Sequence, residues 1–306
     1  MTIKFIIKKI LPHGVISVFY KLMNITKGRN QIKRTLHKIS RNGKIPACSK
    51  TYYNKHIQDY INRNSLTEII EKANKALDTG GVDIHDIVFI HSYIREKQPK
   101  YVLECGTGKS TWIISDALLR NKNEFGIDGK LISMEEHEFW YEKTALLLPD
   151  KYKNISSIHL SPISSYSYSF INGTCYSNIP DYPYELVFVD GPDCYINDES
   201  IGYSHIPHHV EGKTHTVANM DFIRLVQKTT VPMTAIIDFR TRTQMAYACV
   251  FGPNKVKYYS NSNYRGIGII QDVTKADMVP NGMRKDYGLL FNELIEIVDD
   301  SPEWIK

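Results

Sequence analysis

Two kinds of hydrophobic periodicity alternate along the chain from about residue 65 onward. Between residues 84 and 97, Ile87, Ile90 and Ile94 recur at helical spacing and predict a helix that ends before Pro99. Ser65 and Glu68 match a capping box and predict a helix toward Gly80. Further predicted helices cover 110–120, 136–148, 216–229, 241–250 and 287–299, and predicted strands cover 102–103, 130–135, 155–160, 184–190, 234–238, 256–260 and 266–272.

The order of these elements predicts an α/β fold. The first five strands alternate with helices or loops, which is typical of a parallel sheet covered by helices on both faces. The last two strands flank residues 261–263 (Asn-Ser-Asn) and indicate an antiparallel hairpin. We therefore predict that residues 61–306 form a Rossmann-like, seven-stranded, mostly parallel sheet with a C-terminal antiparallel hairpin. Residues 1–60 are predicted to form a basic, amphipathic, helical N-terminal extension.

Four acidic residues follow apolar runs at the ends of predicted strands. They are Glu104, Glu135, Asp190 and Asp238. Because ligands of open α/β sheets bind outside the carboxyl ends of the strands, four acids at one rim favour a ligand crevice. The alternative for each single acid is a cap on the following helix.

The stretch YVLECGTGKST, residues 101–111, contains the glycine turn of this rim. Gly108, Lys109 and Ser110 match the second half of a phosphate-binding P-loop, but Leu103 stands where that pattern needs its first glycine. The other interpretation is a tight strand-to-helix turn with Gly106 and Gly108 that holds a ligand without phosphates.

Three segments in the correct order resemble the motifs of class I S-adenosylmethionine-dependent methyltransferases. VLECGTGKST is similar to their motif I, and LISMEEHEFWYEK is similar to their second-strand motif. YELVFVDGPD resembles the fourth-strand motif of the small-molecule and sugar O-methyltransferase branch. The resemblance covers about residues 80–275. It implies that Glu104, Gly106, Thr107, Gly108, Ser110, Glu135 and Glu136 bind S-adenosylmethionine, with Glu135 on the ribose hydroxyls and Glu136 as the competing candidate for an adjacent contact.

The resemblance indicates less clearly which residues bind the methyl acceptor. Asp190 lies where related O-methyltransferases place either a base or a metal ligand, and Asp238 matches a second acidic position of the metal-dependent members. Those members usually continue with Asp or Asn, whereas Phe239 follows here. This departure makes a divalent metal such as Mg²⁺ doubtful, because oxygen-ligand sites need several carboxylates or carbonyls.

A long segment after the fourth predicted parallel strand carries four histidines. It spans residues 191–215 and contains His205, His208, His209 and His215. One interpretation is a lid that carries the acceptor base, with His208 and His209 as catalytic residues beside Asp190. The other is a surface loop with incidental histidines.

The charge is divided unevenly along the 306 residues. Thirteen Lys and Arg residues precede Asp59, where no acid occurs, whereas residues 59–306 hold 25 basic and 33 acidic residues. Within residues 3–10, isoleucines at helical spacing lie beside lysines. This pattern indicates either a helix on an anionic membrane face or a helix packed on the body. The acidic body argues against a nucleic-acid partner.

The N-terminal arm also resembles a leader of bacterial surface-polysaccharide modification enzymes, through residues 8–22, KKILPHGVISVFYKL. The leading hypothesis is therefore an S-adenosylmethionine-dependent enzyme that O-methylates a sugar hydroxyl of a surface polysaccharide, capsule or glycan precursor. We expect it in the cytoplasm, with peripheral contact at the inner face of the cell membrane. The alternatives are a P-loop-type kinase or ATPase, and a catalytically inactive glycan- or membrane-binding scaffold.

Overall fold

The structure is a computed structural model of the chain. It describes residues 50–77, 82–169, 171–192, 195–196, 215–216, 218–260, 266–279, 295–298 and 301–306. His208, His209 and residues 1–49 of the predicted N-terminal extension lie outside these ranges.

The described part of the chain contains the predicted strands together with several that were not predicted. The strands are β1 Tyr101–Cys105, β2 Lys130–Glu135, β3 Ser156–Leu160, β4 Ile163–Tyr168, β5 Ile171–Tyr176, β6 Leu186–Val189, β7 Tyr195–Ile196, β8 His215–Thr216, β9 Ala218–Asn219, β10 Met233–Ile237, β11 Lys257–Ser260, β12 Gly266–Val273 and β13 Glu296–Val298. The helices are α1 Lys50–Arg63, α2 Thr67–Ala76, α3 Ile84–Lys97, α4 Lys109–Phe125, α5 Glu138–Leu147, α6 Asp150–Lys153, α7 Asp221–Lys228 and α8 Thr241–Phe251, and Lys275–Asp277 forms a short 3-10 helix.

The central sheet confirms the predicted fold class. Its strand order is β13-β11-β12-β10-β6-β1-β2-β3. The five strands from β10 to β3 run parallel to their neighbours, and β12 pairs antiparallel with both β10 and β11. Chain progression reverses between β1 and β6, because β2 lies on one side of β1 and β6 on the other. This topological switch point is where open α/β sheets bind their ligands.

One predicted helix is wrong at the sheet edge. A helix is predicted over 287–299, of which the structure describes only 295–298, and there Glu296–Val298 form β13, an eighth strand parallel to β11. Ile295 and Val298 are β-branched, and such side chains fit a pleated edge better than a helix.

The two faces of the sheet pack against separate hydrophobic cores. Along β1, Leu103 and Cys105 belong to one core, and Val102 belongs to the other. Because side chains alternate between faces, Glu104 points to the same face as Val102. Helices α3 and α4 cover that face, since Ile90 and Ile113 belong to the same core as Val102.

A second, three-stranded sheet stands where a helix would connect β3 to β6. Its order is β4-β5-β9, and β5 pairs antiparallel with β4 and parallel with β9. The predicted helix 216–229 therefore begins only at Asp221, because Ala218 and Asn219 pair with β5. This sheet brings Tyr176, at the end of β5, to the rim of the central sheet.

Helix starts also differ in detail from the predicted caps. The prediction of a capping box at Ser65 and Glu68 is wrong. Ser65 has a φ of 49°, and α2 begins at Thr67 without a side-chain cap. A capping box does form one helix later, where Asp83 caps the backbone of α3 and Asp86 accepts from the Asp83 N–H. Both carboxyl groups thereby come to the N-terminal end of α3.

Helix α1 crosses the predicted boundary between residues 60 and 61. Ile57, Tyr60 and Ile61 are buried in the core that lies under α3 and α4. This helix therefore packs on the domain as one of its layers. No helix in the described ranges is long and apolar enough to cross a membrane.

Candidate functional site

The turn after β1 lies at the switch point and is very short. Gly106 has a φ of 96° and donates its N–H to Met134 O at 2.9 Å. Gly108 ends the turn, and its N–H donates to Thr111 Oγ1 in the first turn of α4 at 3.0 Å. Leu103 lies inside β1 and is fully buried. Three residues between strand and helix cannot wrap a phosphate group, so the geometry does not support the P-loop alternative.

Gly106 meets a second glycine, Gly191, across the switch point. A Cβ built on Gly191 would lie 2.6 Å from both Gly106 Cα and Gly106 N. A Cβ on Gly106 would in turn lie 2.9 Å from Gly191 N. The positive φ of Gly106 already favours glycine. The floor of the crevice is consequently bare backbone, which a ligand can approach closely.

Glu104 lies below this floor and is fully buried. Its Oε2 accepts hydrogen bonds from Thr111 Oγ1 at 2.7 Å and Ser133 Oγ at 2.5 Å. Its Oε1 has no hydrogen-bond partner among the described residues. Burial raises the pKa of Glu104 to about 7, although the hydroxyl groups of Ser110, Ser133 and Thr111 act in the opposite direction. The carboxyl group therefore keeps unused acceptor capacity on Oε1, although the Ser110 hydroxyl also interacts with it.

Glu135 ends β2 and forms the next wall of the crevice. Its Oε2 accepts from Thr107 N at 3.1 Å and from Thr107 Oγ1 at 3.0 Å. Its Oε1 accepts from His137 N at 3.0 Å. Burial raises the pKa of Glu135, and the neighbouring Glu136 raises it further. Thr107 thus fixes the carboxylate in place, and Oε1, which accepts one bond among the described residues, keeps a lone pair for a further donor.

Glu136 is tied to the second sheet by a residue that the sequence analysis did not identify. Tyr176 OH donates to Glu136 Oε2 at 2.7 Å. The same hydroxyl would lie 2.7 Å from a Cβ on Gly191. Tyr176 is fully buried, and Asp221 Oδ1 accepts from its backbone N–H at 2.9 Å. Tyr176 therefore connects the β2 side of the crevice to the β6 side.

Asp190 and Asp238 follow the neighbouring strands β6 and β10. Their carboxyl groups interact with each other electrostatically, and burial followed by the charge of Asp238 raises the pKa of Asp190. Arg240 Nη1 donates to Pro192 O at 2.6 Å, and its Nη2 donates to Asp190 O. Nη2 also lies 3.8 Å from Asp190 Oδ1. Arg240, which the sequence analysis missed, thereby holds the turn that carries Asp190.

Asp86 lies in the N-terminal turn of α3 and interacts electrostatically with this carboxyl pair. It is 7% exposed. Burial raises its pKa well above the usual value, and the charges of Asp238, Asp83 and Asp190 act in the same direction. Asp86 was predicted only as part of a helix, since its proximity to Asp190 depends on how α3 packs across the sheet.

A buried amide–carboxyl pair supports the Gly191 turn from the opposite face. Asn219 Nδ2 donates to Gly191 O at 2.9 Å and to Asp221 Oδ2 at 2.8 Å. Cys105 Sγ lies 3.8 Å from Asp221 Oδ2. Burial raises the pKa of Asp221 to about 7, against the charge of Arg224. No local sequence signal marks Asn219 or Asp221, because their partners are distant along the chain.

The described site brings together most of the predicted residues. Glu104, Gly106, Thr107, Gly108, Ser110, Glu135, Glu136, Asp190 and Asp238 lie at or directly below the carboxyl ends of β1, β2, β6 and β10. Ser110 is 1% exposed and faces the Glu104 carboxyl group. In the ranges that the structure describes, no group of three or more His, Cys, Asp or Glu side chains is arranged to hold a metal ion.

Comparisons with known proteins give weak likenesses only. No protein-family model matches the chain, and no curated protein matches it. The O-methyltransferase TomG from Streptomyces achromogenes, involved in tomaymycin synthesis and solved with SAM, matches at TM-score 0.43 and 15% identity, over 71% of this chain and 96% of its own. Cofactor-bound Rv0187 from MTB matches at TM-score 0.42 and 10% identity, over 69% and 91%.

A third solved structure is the SAH-bound methyltransferase PaMTH1 from Podospora anserina. It matches at TM-score 0.34 and 10% identity, over 78% of this chain and 96% of its own. At such TM-scores and identities these likenesses carry no weight for the function, which is inferred from the site itself.

Proposed function

We propose that the protein is an S-adenosylmethionine-dependent O-methyltransferase. The observation that carries the proposal is the crevice at the switch point, where the backbone of Gly106 and Gly191 lies above Glu104 Oε1, an oxygen without a hydrogen bond from the residues that the structure describes. A carboxylate, Glu135, stands at the end of the adjacent strand. These groups suit a ligand with one cationic end and a vicinal diol.

The chemical groups of the cofactor fit these residues one by one. Glu104 Oε1 is an acceptor for the α-ammonium group of the methionine part, because a buried carboxyl oxygen needs a donor. Glu135, held by Thr107 through Oε2, would accept from the ribose hydroxyls through Oε1. Gly106 leaves room for close backbone approach. S-Adenosylmethionine has no phosphate groups and needs no phosphate-binding loop, which agrees with the short turn between β1 and α4.

The remaining residues at the rim would serve the acceptor. S-Adenosylmethionine supplies an electrophilic methyl group on a sulfonium ion. Asp190, one-fifth of whose side chain is exposed, would accept the proton of the acceptor hydroxyl. Arg240 would keep Asp190 in position through its contacts with the Asp190 and Pro192 carbonyl groups. Positioning of this kind contributes to rate because the reacting groups are already aligned.

We further propose a sugar hydroxyl of a surface polysaccharide or glycan precursor as the acceptor. The support is the N-terminal arm, with its basic residues and its resemblance to leaders of bacterial polysaccharide-modifying enzymes. The arm would contact anionic lipid at the inner face of the membrane. His208 and His209 would complete the acceptor site as bases. Replacing both with Ala should abolish methyl transfer and leave cofactor affinity unchanged; unchanged turnover would exclude the two histidines.

Calorimetric titration tests the central proposal. The full chain should bind S-adenosylmethionine and S-adenosylhomocysteine in the micromolar range, typical of cofactor sites, and should not bind Mg-ATP. Gly106→Arg should abolish binding, because its side chain would fill the crevice, and Glu135→Ala should weaken it. Glu142→Gln, on the exposed face of α5, is the matched control. Binding of Mg-ATP without either adenosyl compound would overturn the proposal.

A further inference from the structure

Helix α5 carries its large apolar side chains on the outside. Its ten residues include one Phe, one Trp, one Tyr and two Leu, yet of these residues, all of which the structure describes, only Thr144 is buried. Phe139 is 64% exposed and Leu146 is 80% exposed. Surface helices normally turn such side chains toward the core and polar ones toward water. The reversed arrangement indicates that another surface covers the outer face of α5.

Four outward residues form one stripe along this helix. At spacings of i, i+3, i+4 and i+7, they are Phe139, Glu142, Lys143 and Leu146, named here the α5 stripe. Lys143 Nζ lies 5.7 Å from the centroid of the Phe139 ring and 5.0 Å from that of Trp140, so its charge lies close beside the apolar side chains. The stripe thus has an apolar residue at each end and one acid–base pair in the middle.

This order is complementary to itself when two copies of the stripe meet in opposite directions. Phe139 of one copy then faces Leu146 of the other, and Glu142 faces Lys143. In the parallel direction each residue would face its own counterpart, and like charges would repel each other. A two-fold axis perpendicular to the helix produces the antiparallel pairing, because every contact in such an interface occurs twice.

The neighbouring edge of the central sheet adds to the apolar surface. Helix α5 packs on β3, which is the last strand of the sheet in the described ranges and pairs there with β2 alone. Leu160, at the end of β3, is 44% exposed. Stable interfaces bury about 1,200–2,000 Å² in total, and a pair of short helices flanked by a strand end lies at the lower limit of this range. The surface therefore suits a weak, reversible association.

We propose that the α5 stripe binds the α5 stripe of a second copy of this chain, in an antiparallel dimer with two-fold symmetry. The basic N-terminal arm is a poorer occupant, because the stripe carries both signs of charge. Lys143 at its centre would repel a segment that has thirteen Lys and Arg residues and no acid before Asp59. A second copy instead offers Glu142 to Lys143 and Leu146 to Phe139.

Sedimentation equilibrium of the full chain without ligand tests this interface, independently of the proposed function. Between about 1 and 200 µM the chain should change from monomer to dimer, with a Kd of about 10–100 µM, as for a small interface. Phe139→Ser should raise this Kd at least about tenfold, because the ring is lost from both ends of the contact. Phe125→Ser removes another exposed ring, 52% exposed on α4, and should leave the Kd unchanged.

A charge exchange tests the antiparallel pairing itself. Glu142→Lys and Lys143→Glu each place like charges opposite each other twice in the dimer, so each should raise the Kd about tenfold. The variant with both substitutions restores opposite charges at both places and should dimerise like the wild type. An arm bound on the stripe would respond differently, since Lys143→Glu would then strengthen its attachment.

Three results would overturn the inference. They are a chain that stays monomeric at every concentration, a dimer that persists in Phe139→Ser, and a doubly exchanged variant that dimerises no better than the single ones. The substituted side chains lie on the surface, and circular dichroism verifies the folding of each variant. Well below the Kd the chain is monomeric, so unfolding experiments at low concentration report on the single chain.

Discussion

Gly106 and Gly191 touch across the two central strands, with a Cβ on Gly191 only 2.6 Å from the Gly106 Cα. This contact closes the bottom of the crevice at the switch point. It also requires glycine on both sides, because neither backbone has room to move without disturbing β1 or β6. The ligand site and the central packing of the sheet consequently depend on the same pair of residues.

Alanine substitutions should separate backbone strain from this contact. Gly126 has a φ of 71° with nothing within 4 Å of a built Cβ, so Gly126→Ala should cost about 1 kcal/mol of unfolding free energy through φ alone. Gly106→Ala adds the clash with Gly191 and should cost about 1–3 kcal/mol more. Urea unfolding of the two variants measures the difference. Equal losses would show that the close contact does not constrain residue 106.

Glu104 should make stability depend on pH. Burial raises its pKa from 4.5 to about 7, so between these values the folded state holds a proton that the unfolded state has lost. Stability should therefore be full below pH 4.5 and fall as pH rises toward 7, by up to about 3 kcal/mol. Glu104→Gln, which mimics the protonated group, should flatten this dependence in urea unfolding at pH 5 and 7.5.

Asp221 should add to the same pH dependence, because burial raises its pKa from 3.8 to about 7. Glu104→Gln alone should therefore leave a remaining slope, and Asp221→Asn should reduce it further. Glu142→Gln, on exposed α5, serves as control. A slope identical to that of the wild type in both site variants would show that neither carboxyl group is protonated in the folded state near neutral pH.

The parallel strands and their acids were predictable because each leaves a local pattern. Strand β6, Leu186–Val189, is buried on both faces of the sheet, and its sequence is one continuous apolar run. Asp190 follows it directly. The glycine turn at Gly106 was predictable for the same reason, since a φ of 96° and a close contact both require glycine. Constraints of this kind act between neighbouring residues, so a short segment of sequence is enough to predict them.

The second sheet and its site residues were not predictable from local patterns. Strand β4 alternates serine and tyrosine in Ile163–Tyr168, a polar pattern that also suits a loop. Ala218 and Asn219 become a strand only because they pair with β5. Tyr176 reaches Glu136, forty positions earlier in the chain, through the packing of this sheet against the rim. Such contacts arise from tertiary packing and carry no nearby sequence signal.

Tyr176→Phe should weaken cofactor binding without unfolding the protein. The substitution removes the hydroxyl that donates to Glu136 Oε2 at 2.7 Å, so Glu136 loses its fixed position beside the crevice. We expect the Kd for S-adenosylhomocysteine to rise about three- to tenfold, as for loss of one hydrogen bond to a charged group. Calorimetry measures this change.

A double-mutant cycle checks that Tyr176 acts through Glu136. Glu136→Gln alone should have an effect of similar size, and the double variant should be no worse than either single one. Additive losses would instead mean that the two residues contact the ligand independently. Tyr166→Phe is the matched control, because Tyr166 lies on the same small sheet and bonds Gln227, away from the crevice.

Helix α1 should depend on a buried hydrogen-bond chain for its attachment. Tyr60 OH lies 2.9 Å from His91 Nδ1, and His91 Nε2 lies 3.4 Å from Asp116 Oδ2. His91 is fully buried, and burial lowers its pKa, so the neutral ring has one nitrogen that donates and one that accepts. Tyr60→Phe leaves Nδ1 without its partner and should cost about 1–3 kcal/mol of unfolding free energy.

Urea unfolding and hydrogen exchange together test this role. If the chain of bonds holds α1, Tyr60→Phe should speed amide exchange in residues 56–63 more than in the strands of the central sheet. Gln58→Ala, which removes an exposed bond to Asn62, should change neither quantity by much. Uniformly faster exchange across the sheet would mean instead that Tyr60 supports the whole core, because its ring packs among Ile57, Ile61 and the residues of α3.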